Sequence, residues 1–381
     1  MGRPPKLGES GRAINPGARL DDLPGVCETH PPMRGSIDPG FTVSLVALTL
    51  LGVAGCEKGS PAAPERTPHP TPPPISESWT RLEPGVGAIR AIVVDPRRSD
   101  TIYVGTTDGV RKSTDHGKTW KPTGKLEPRD ARVLALDRRS PDTLYVGTVN
   151  GHLAKTTDGG ATWTRLTVPI VKPVPVRALA LDPHDADTAY AAIPYTGVVK
   201  TTDGGATWTG VSKGLTDLDV RALALDPATP GVVYAGTNGK GLFKSTDGGA
   251  HWNESNGGLA NLVIRDIAID PSTPATLYIA TYGVGVYKST DAGATWKPAA
   301  TGLASQIVAA LALDPKRPTI LYAGGASGSL AKTTDGGAKW TQVRAKTKRQ
   351  VWTMAIDPNA TDTVYFGTGG DGVFRSTTGA N

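Results

Sequence analysis

Short apolar runs separated by turn residues recur from about residue 77 onward, and no long segment of helical apolar periodicity follows residue 56. One kind of run reads Leu-Ala-Leu-Asp-Pro or a close variant. It occurs seven times, at Ile92 to Pro96, Leu134 to Asp137, Leu179 to Pro183, Leu223 to Pro227, Ile267 to Pro271, Leu311 to Pro315 and Met354 to Pro358. Each copy is followed, after a turn, by a Tyr-containing run such as Leu144 to Thr148 (LYVGT) or Val233 to Thr237 (VYAGT). A third short run then leads into a segment typified by Lys200 to Trp208, KTTDGGATW, whose tryptophan opens a fourth. Runs of this length bounded by turn residues predict strands, four to a unit.

The last segment carries the period. Its pattern is Ser or Thr, any residue, Asp, any residue, Gly, two further residues and Trp, and its aspartates are Asp115, Asp158, Asp203, Asp247, Asp291 and Asp335. They fall 43, 45, 44, 44 and 44 residues apart, a period typical of propellers and solenoids. Gly204 and Gly205 permit the left-handed backbone of a tight hairpin, and the Asp203 carboxylate is suited to accept main-chain N–H groups of the same turn. Burying an indole of roughly 150–250 Å² at about 25 cal/mol/Å² stabilises by about 4–6 kcal/mol as an upper bound. The repeated residues therefore read as structural.

Seven units need seven such tryptophans, but Trp120, Trp163, Trp208, Trp252, Trp296 and Trp340 are six, and the last unit stops near Gly379. The missing strand stands at the other end, where Ser78-Trp79-Thr80-Arg81-Leu82 matches Thr162-Trp163-Thr164-Arg165-Leu166. The expected fold is all-β: a single seven-bladed β-propeller of four-stranded blades over residues 77–381, closed by the N-terminal strand as the outer strand of the last blade. Closure of this kind leaves no open blade edge.

Ahead of the repeats, residues 1–32 lack periodicity and read as a non-native or untranslated extension before a true start at Met33. Arg34, the apolar run Phe41 to Val53, and Ala54-Gly55 before Cys56 resemble a bacterial lipoprotein signal peptide over residues 33–55. The resemblance implies cleavage before Cys56 and lipidation of that cysteine, and Glu57 in place of Asp implies sorting to the outer membrane. Residues 56–76, with Pro61, Pro64, Pro68, Pro70 and Pro72 to Pro74, then read as a semi-rigid tether of about 60 Å reach at ~3.1 Å per residue. With only Cys27 and Cys56 in the chain, neither a disulfide nor a cysteine-based metal site is expected in the mature protein.

The box pattern, its period and the four-strand unit together resemble the Asp-box (BNR-like) propellers, and among them the photosystem II stability/assembly factor-like group. Sialidases, xyloglucanases and sortilin receptors use the same box, so the resemblance speaks to fold far more than to function.

Functional residues must then lie outside the turn clamp. Five positions before each first-strand aspartate stands Arg90, Arg132, Arg177, Arg221 or Arg265, with Ala309 and Trp352 in the last two units. These arginines would ring the mouth of the central channel, on the face opposite the boxes. Asp130 and Asp219, two residues before Arg132 and Arg221, are expected on the same strand side as local neutralising partners, which leaves Arg90, Arg177 and Arg265 unpaired. Tyr195, Tyr282 and Trp352 belong to the same face, and arginine with aromatics is the composition of binding hot spots. Bracing of neighbouring blades by repeated arginines is the competing explanation.

The formal charge of +6 suits acidic partners without the dense basic stripe of a nucleic-acid binder. His116 and His251 look like turn substitutions, no metal-ligand spacing emerges, and no cofactor is expected. A catalytic carboxylate pair could hide among Glu127, Asp130, Asp217, Asp219 and Asp371 on the loop face, which read as solvated loop acids. The function expected from sequence is a monomeric, lipid-anchored envelope scaffold that binds a protein partner through the channel mouth, without catalysis of its own. The alternative is a carbohydrate-binding or glycoside-hydrolysing propeller of sialidase type.

Overall fold

The computed structural model describes residues 79–380 apart from 84, 86 and 128. The extension, signal peptide, Cys56 and tether lie outside the described residues. Within them the chain forms seven antiparallel four-stranded sheets, the seven blades expected. Their first strands are Ile89–Asp95, Ala131–Leu136, Ala178–Leu181, Val220–Leu225, Ile264–Ile269, Val308–Leu313 and Val351–Ile356. Each touches the first strand of the next blade, and the seventh returns to the first, so these strands line a closed ring around a channel.

The second strands carry the Tyr motif and are buried over most or all of their length. Both faces of such a strand pack against neighbouring blades, which is why its sequence is nearly continuously apolar. Closure is made by Trp79–Leu82, which pairs with Val373–Ser376 with Trp79 opposite Ser376 and Leu82 opposite Val373. Trp79 meets Phe366 edge-on at 4.8 Å between centroids, and Phe366 stacks on Phe374 at 4.7 Å.

Each box is a local hydrogen-bonded knot. Thr201 donates its hydroxyl to Asp203 Oδ1 at 2.7 Å and accepts the Gly205 N–H at 2.9 Å, while Asp203 Oδ1 accepts the Thr207 N–H at 2.9 Å. Such bonds favour the ionised form and hold Asp115, Asp203, Asp247 and Asp291 down to about 2.

The boxes also join blade to blade. Tyr145 and Lys155 of blade 2 both donate to the Gly204 carbonyl of blade 3, each at 2.8 Å. The same Tyr–Lys pair grips Gly159, Gly248, Ala292, Gly336 and Gly379 in turn. At the closing junction Arg375 stands in for the lysine and donates to the His116 carbonyl at 2.9 Å. His116 holds φ at 60° where most boxes use glycine. The tryptophans divide. Trp208, Trp252, Trp296 and Trp340 are buried, whereas Trp120 and Trp163 are only half-buried.

Candidate functional site

The arginine positions coincide with an irregularity in the sheets. In six blades the register between the first two strands skips one residue, and the skipped residues are Arg90, Arg132, Arg221, Arg265, Ala309 and Trp352. In blade 3 the paired strand begins just after Arg177, whose N–H donates to the Ala192 carbonyl at 2.8 Å. A bulge breaks side-chain alternation and re-aims the bulged residue. Here it turns the arginines toward one another at the channel mouth.

That geometry corrects the expected pairing. Asp130 makes no ion pair with Arg132. It faces Arg90 of the preceding blade, with Arg90 Nε 3.1 Å from Asp130 Oδ1. The partner lies across the blade boundary, a neighbour that an offset along one strand does not show. The Arg221–Asp219 pair does form, at 2.5 Å. Arg132, Arg177 and Arg265 make no ion pair with a carboxylate among the described residues, and Arg177 Nε and Arg221 Nε are buried without a hydrogen-bond partner. Burial, reinforced by Arg177, Arg90 and Arg221, pushes Arg132 down to about 10. Burial lowers Arg177 and Arg265 as well, with Arg221 adding to the effect in both. Two acids against five arginines leave the cluster with an excess of positive charge.

Aromatic rings flank it. Trp352 lies under the Arg90 guanidinium at 5.4 Å and Tyr282 under that of Arg265 at 4.9 Å. Tyr282 remains 47% exposed. Tyr195, in the turn between the second and third strands of blade 3, is 56% exposed at φ 66°. Lys172 places its ammonium 3.4 Å from the Tyr195 ring centroid, a contact that residue types alone did not suggest. Val171 and Leu218, at 72% and 37% exposed, are the remaining large apolar side chains on the surface of the described residues. Both stand in loops that lead into first strands, the strands that carry the arginines near their starts.

The loop carboxylates are largely committed. Asp217 accepts the Asp219 N–H, Asp371 accepts the Thr347 hydroxyl, and Glu127 is an exposed partner of Lys125. One carboxyl escaped the sequence reading. Asp266 occupies a first-strand position held elsewhere by Ala91, Val133, Ala178, Ala222, Ala310 and Thr353, and that departure was its only signal. It accepts the Ile267 N–H at 2.9 Å and the Leu311 N–H of the next blade at 2.8 Å. Burial between two blades pushes its pKa up to about 6.

The box side offers a cavity of about 290 Å³ between blades 1 and 2, lined by Lys112, Thr119, Lys121, Thr123, Asp158 and Gly159 among others. Lys112 is already engaged with the Gly159 carbonyl there and Asp158 is ionised, so it offers far less free charge than the mouth. Among the described residues no group of three His, Cys, Asp or Glu side chains is placed to hold a metal ion, and no helix is long and apolar enough to cross a membrane.

With this geometry in hand, the similarities to known proteins are informative. The family model for sortilin, neurotensin receptor 3 (Sortilin-Vps10) matches residues 240–371, and the BNR/Asp-box repeat matches residues 111–122. The chain thus carries Asp-boxes on a seven-bladed propeller fold. No curated protein matches it significantly. Among solved structures it is similar to a GH74 enzyme from Niastella koreensis, at 21% identity and TM-score 0.66, over 79% of this chain and 54% of that one. A GH74 xyloglucanase from Xanthomonas campestris gives 18% identity and TM-score 0.66, over 79% and 53%. YCF48 bound to D1 peptide gives 19% identity and TM-score 0.59, over 79% and 94%.

The Asp-box propeller described here thus spans about half the length of the GH74 enzymes, and at these identities the likeness is one of fold. It nevertheless overturns the expectation of a propeller without catalysis. The same architecture is used by enzymes as well as by a peptide-bound protein, so the fold gives no ground for a lean away from enzymatic activity.

Proposed function

We propose that this propeller is a carbohydrate-directed protein whose channel mouth binds a carboxylate-bearing glycan. The observation that carries the reading is the charge imbalance at the mouth: Arg132, Arg177 and Arg265 lack acidic partners while crowding one another. Like charges held this close cost free energy unless an anion meets them. Carboxylates bind guanidinium groups in a bidentate, charge-assisted manner, and the exposed faces of Tyr195 and Tyr282 suit the apolar faces of sugar rings beside them. The two GH74 enzymes support a glycan over other anions by fold analogy. An envelope location with a lipid anchor at Cys56 completes the reading.

A second reading, an acidic polypeptide segment, is favoured by Val171 and Leu218, which add exposed apolar surface that a sugar does not need. Calorimetric titration of the full chain with polygalacturonate, neutral xyloglucan and an acidic peptide separates the two. The expected result is binding of the polyuronate that weakens with salt and falls at least tenfold, about 1.4 kcal/mol, in an Arg132→Gln, Arg177→Gln, Arg265→Gln variant. Release of new reducing ends in the same mixtures tests for cleavage. Binding of the peptide alone, or polyuronate affinity unchanged in the variant, would overturn the glycan reading.

A further inference from the structure

In the antiparallel pairing of first and second strands, residue pairs alternate between exchanging hydrogen bonds and pointing those groups away. Leu311 is opposite Ala323, yet its N–H donates to Asp266 of the previous blade, so it points away from its own sheet and into the channel. The pairs Ile92–Val104, Leu134–Val146, Leu179–Ala191, Leu223–Ala235, Ile267–Ile279 and Met354–Phe366 repeat that register. A ring of inward-facing N–H groups follows, one from each blade and two residues along the strand from the arginine position.

An N–H group turned away from its own sheet toward the channel is free to donate to an acceptor from outside that sheet. Two of the seven, Ile267 and Leu311, share the Asp266 carboxylate. For Ile92, Leu134, Leu179, Leu223 and Met354 no side chain among the described residues supplies one. Convergent backbone N–H groups of this kind form an anion-binding concavity, and Asp266 is an internal carboxylate already seated in it.

We propose that neighbouring pairs among the five remaining N–H groups form a second, deeper anion subsite that receives the carboxylate of the ligand admitted by the arginines, in the manner that Ile267 and Leu311 receive Asp266. The inference rests on the carboxylate-bearing ligand of the preceding section and adds where its acid group is seated. The arginines draw the anion in and the backbone ring fixes its depth. Because main-chain donors carry no side-chain identity, this level selects for a compact anion able to enter the channel, and a sulfate ester or phosphate would compete with the carboxylate.

Amide and arginine Nε resonances of the full chain, followed during titration with D-glucuronate, test it directly. The expected result is a saturable downfield shift of the Ile92, Leu134, Leu179, Leu223 and Met354 amides, with Ile267 and Leu311 unmoved. In Asp266→Ala those two should join the set, with affinity raised about tenfold for an added charge-assisted contact and a removed like charge. Shifts confined to arginine Nε signals would leave the mouth reading standing and sink the deeper subsite. No movement in either set would sink both, and the wild-type titration decides the matter even if the variant folds poorly.

Discussion

On the box face, six aspartates sit at the surface and are held ionised by their own turns, and their partners Tyr and Lys lock each blade to the next. On the mouth face and just inside it, charged groups sit half-enclosed without such satisfaction: three arginines lack acids, and Asp266 is pushed toward its neutral form. Hydrogen bonding lowers carboxyl pKa values at one end of the disc and burial raises one in the channel. The box face commits its polar groups to stability, while the mouth holds arginines without acidic partners.

The contrast can be broken first at its strongest point. Removing residues 77–82 strips the closing strand from blade 7 and exposes Phe366 and Phe374, so cooperative thermal unfolding should disappear. An unchanged melting curve would refute closure by that strand. Next, Trp340→Ala on the box side should destabilise by about 3–5 kcal/mol, since the ring is buried and its Nε1 donates to the Ala299 carbonyl at 2.7 Å. Denaturant titration reads this, and ligand affinity at the mouth should not move.

Acid titration then separates the two regions by sign. Asp266 has a folded pKa above the unfolded value, so its contribution is fully present below about pH 4 and is lost as pH rises through about 6, a change of about 2–3 kcal/mol. Asp266→Asn should flatten stability between pH 4 and pH 6. A smaller effect of opposite sense to Trp340→Ala is expected at the mouth. Arg132→Gln relieves a crowded, desolvated cation and should stabilise by about 1–2 kcal/mol while weakening ligand binding. Loss of stability instead would identify the arginines as braces between blades.

The finest test is a single box. Asp291 is depressed to about 2 by Thr295 and Ser289, so its contribution is present above about pH 4 and lost as pH falls through about 2. Asp291→Asn should lower the melting temperature at pH 6 and match wild type at pH 2. A variant as stable as wild type at pH 6 would remove the clamp.

The number of blades and the direction of closure were legible in the residues because a propeller writes its geometry once per repeat. A Tyr strand, a box and a tryptophan at a 44-residue period leave little freedom, and six box tryptophans plus Trp79 make seven. The channel-mouth arginines were legible too, as a column in the repeats. Their pairing was not. Alternation along a strand assigned Asp130 to Arg132, but Asp130 meets Arg90 across the blade boundary, a neighbour that spacing within one strand does not show. Nor could residue types show that Asp266 would gather main-chain donors from two blades, since backbone N–H directions carry no letter in the sequence. What the sequence determined by itself was the repeat, its strands and its closure, all of which depend on local turn chemistry and apolar spacing. Only the tertiary structure decided which charges are left unpaired, because that depends on how adjacent blades face one another around the channel.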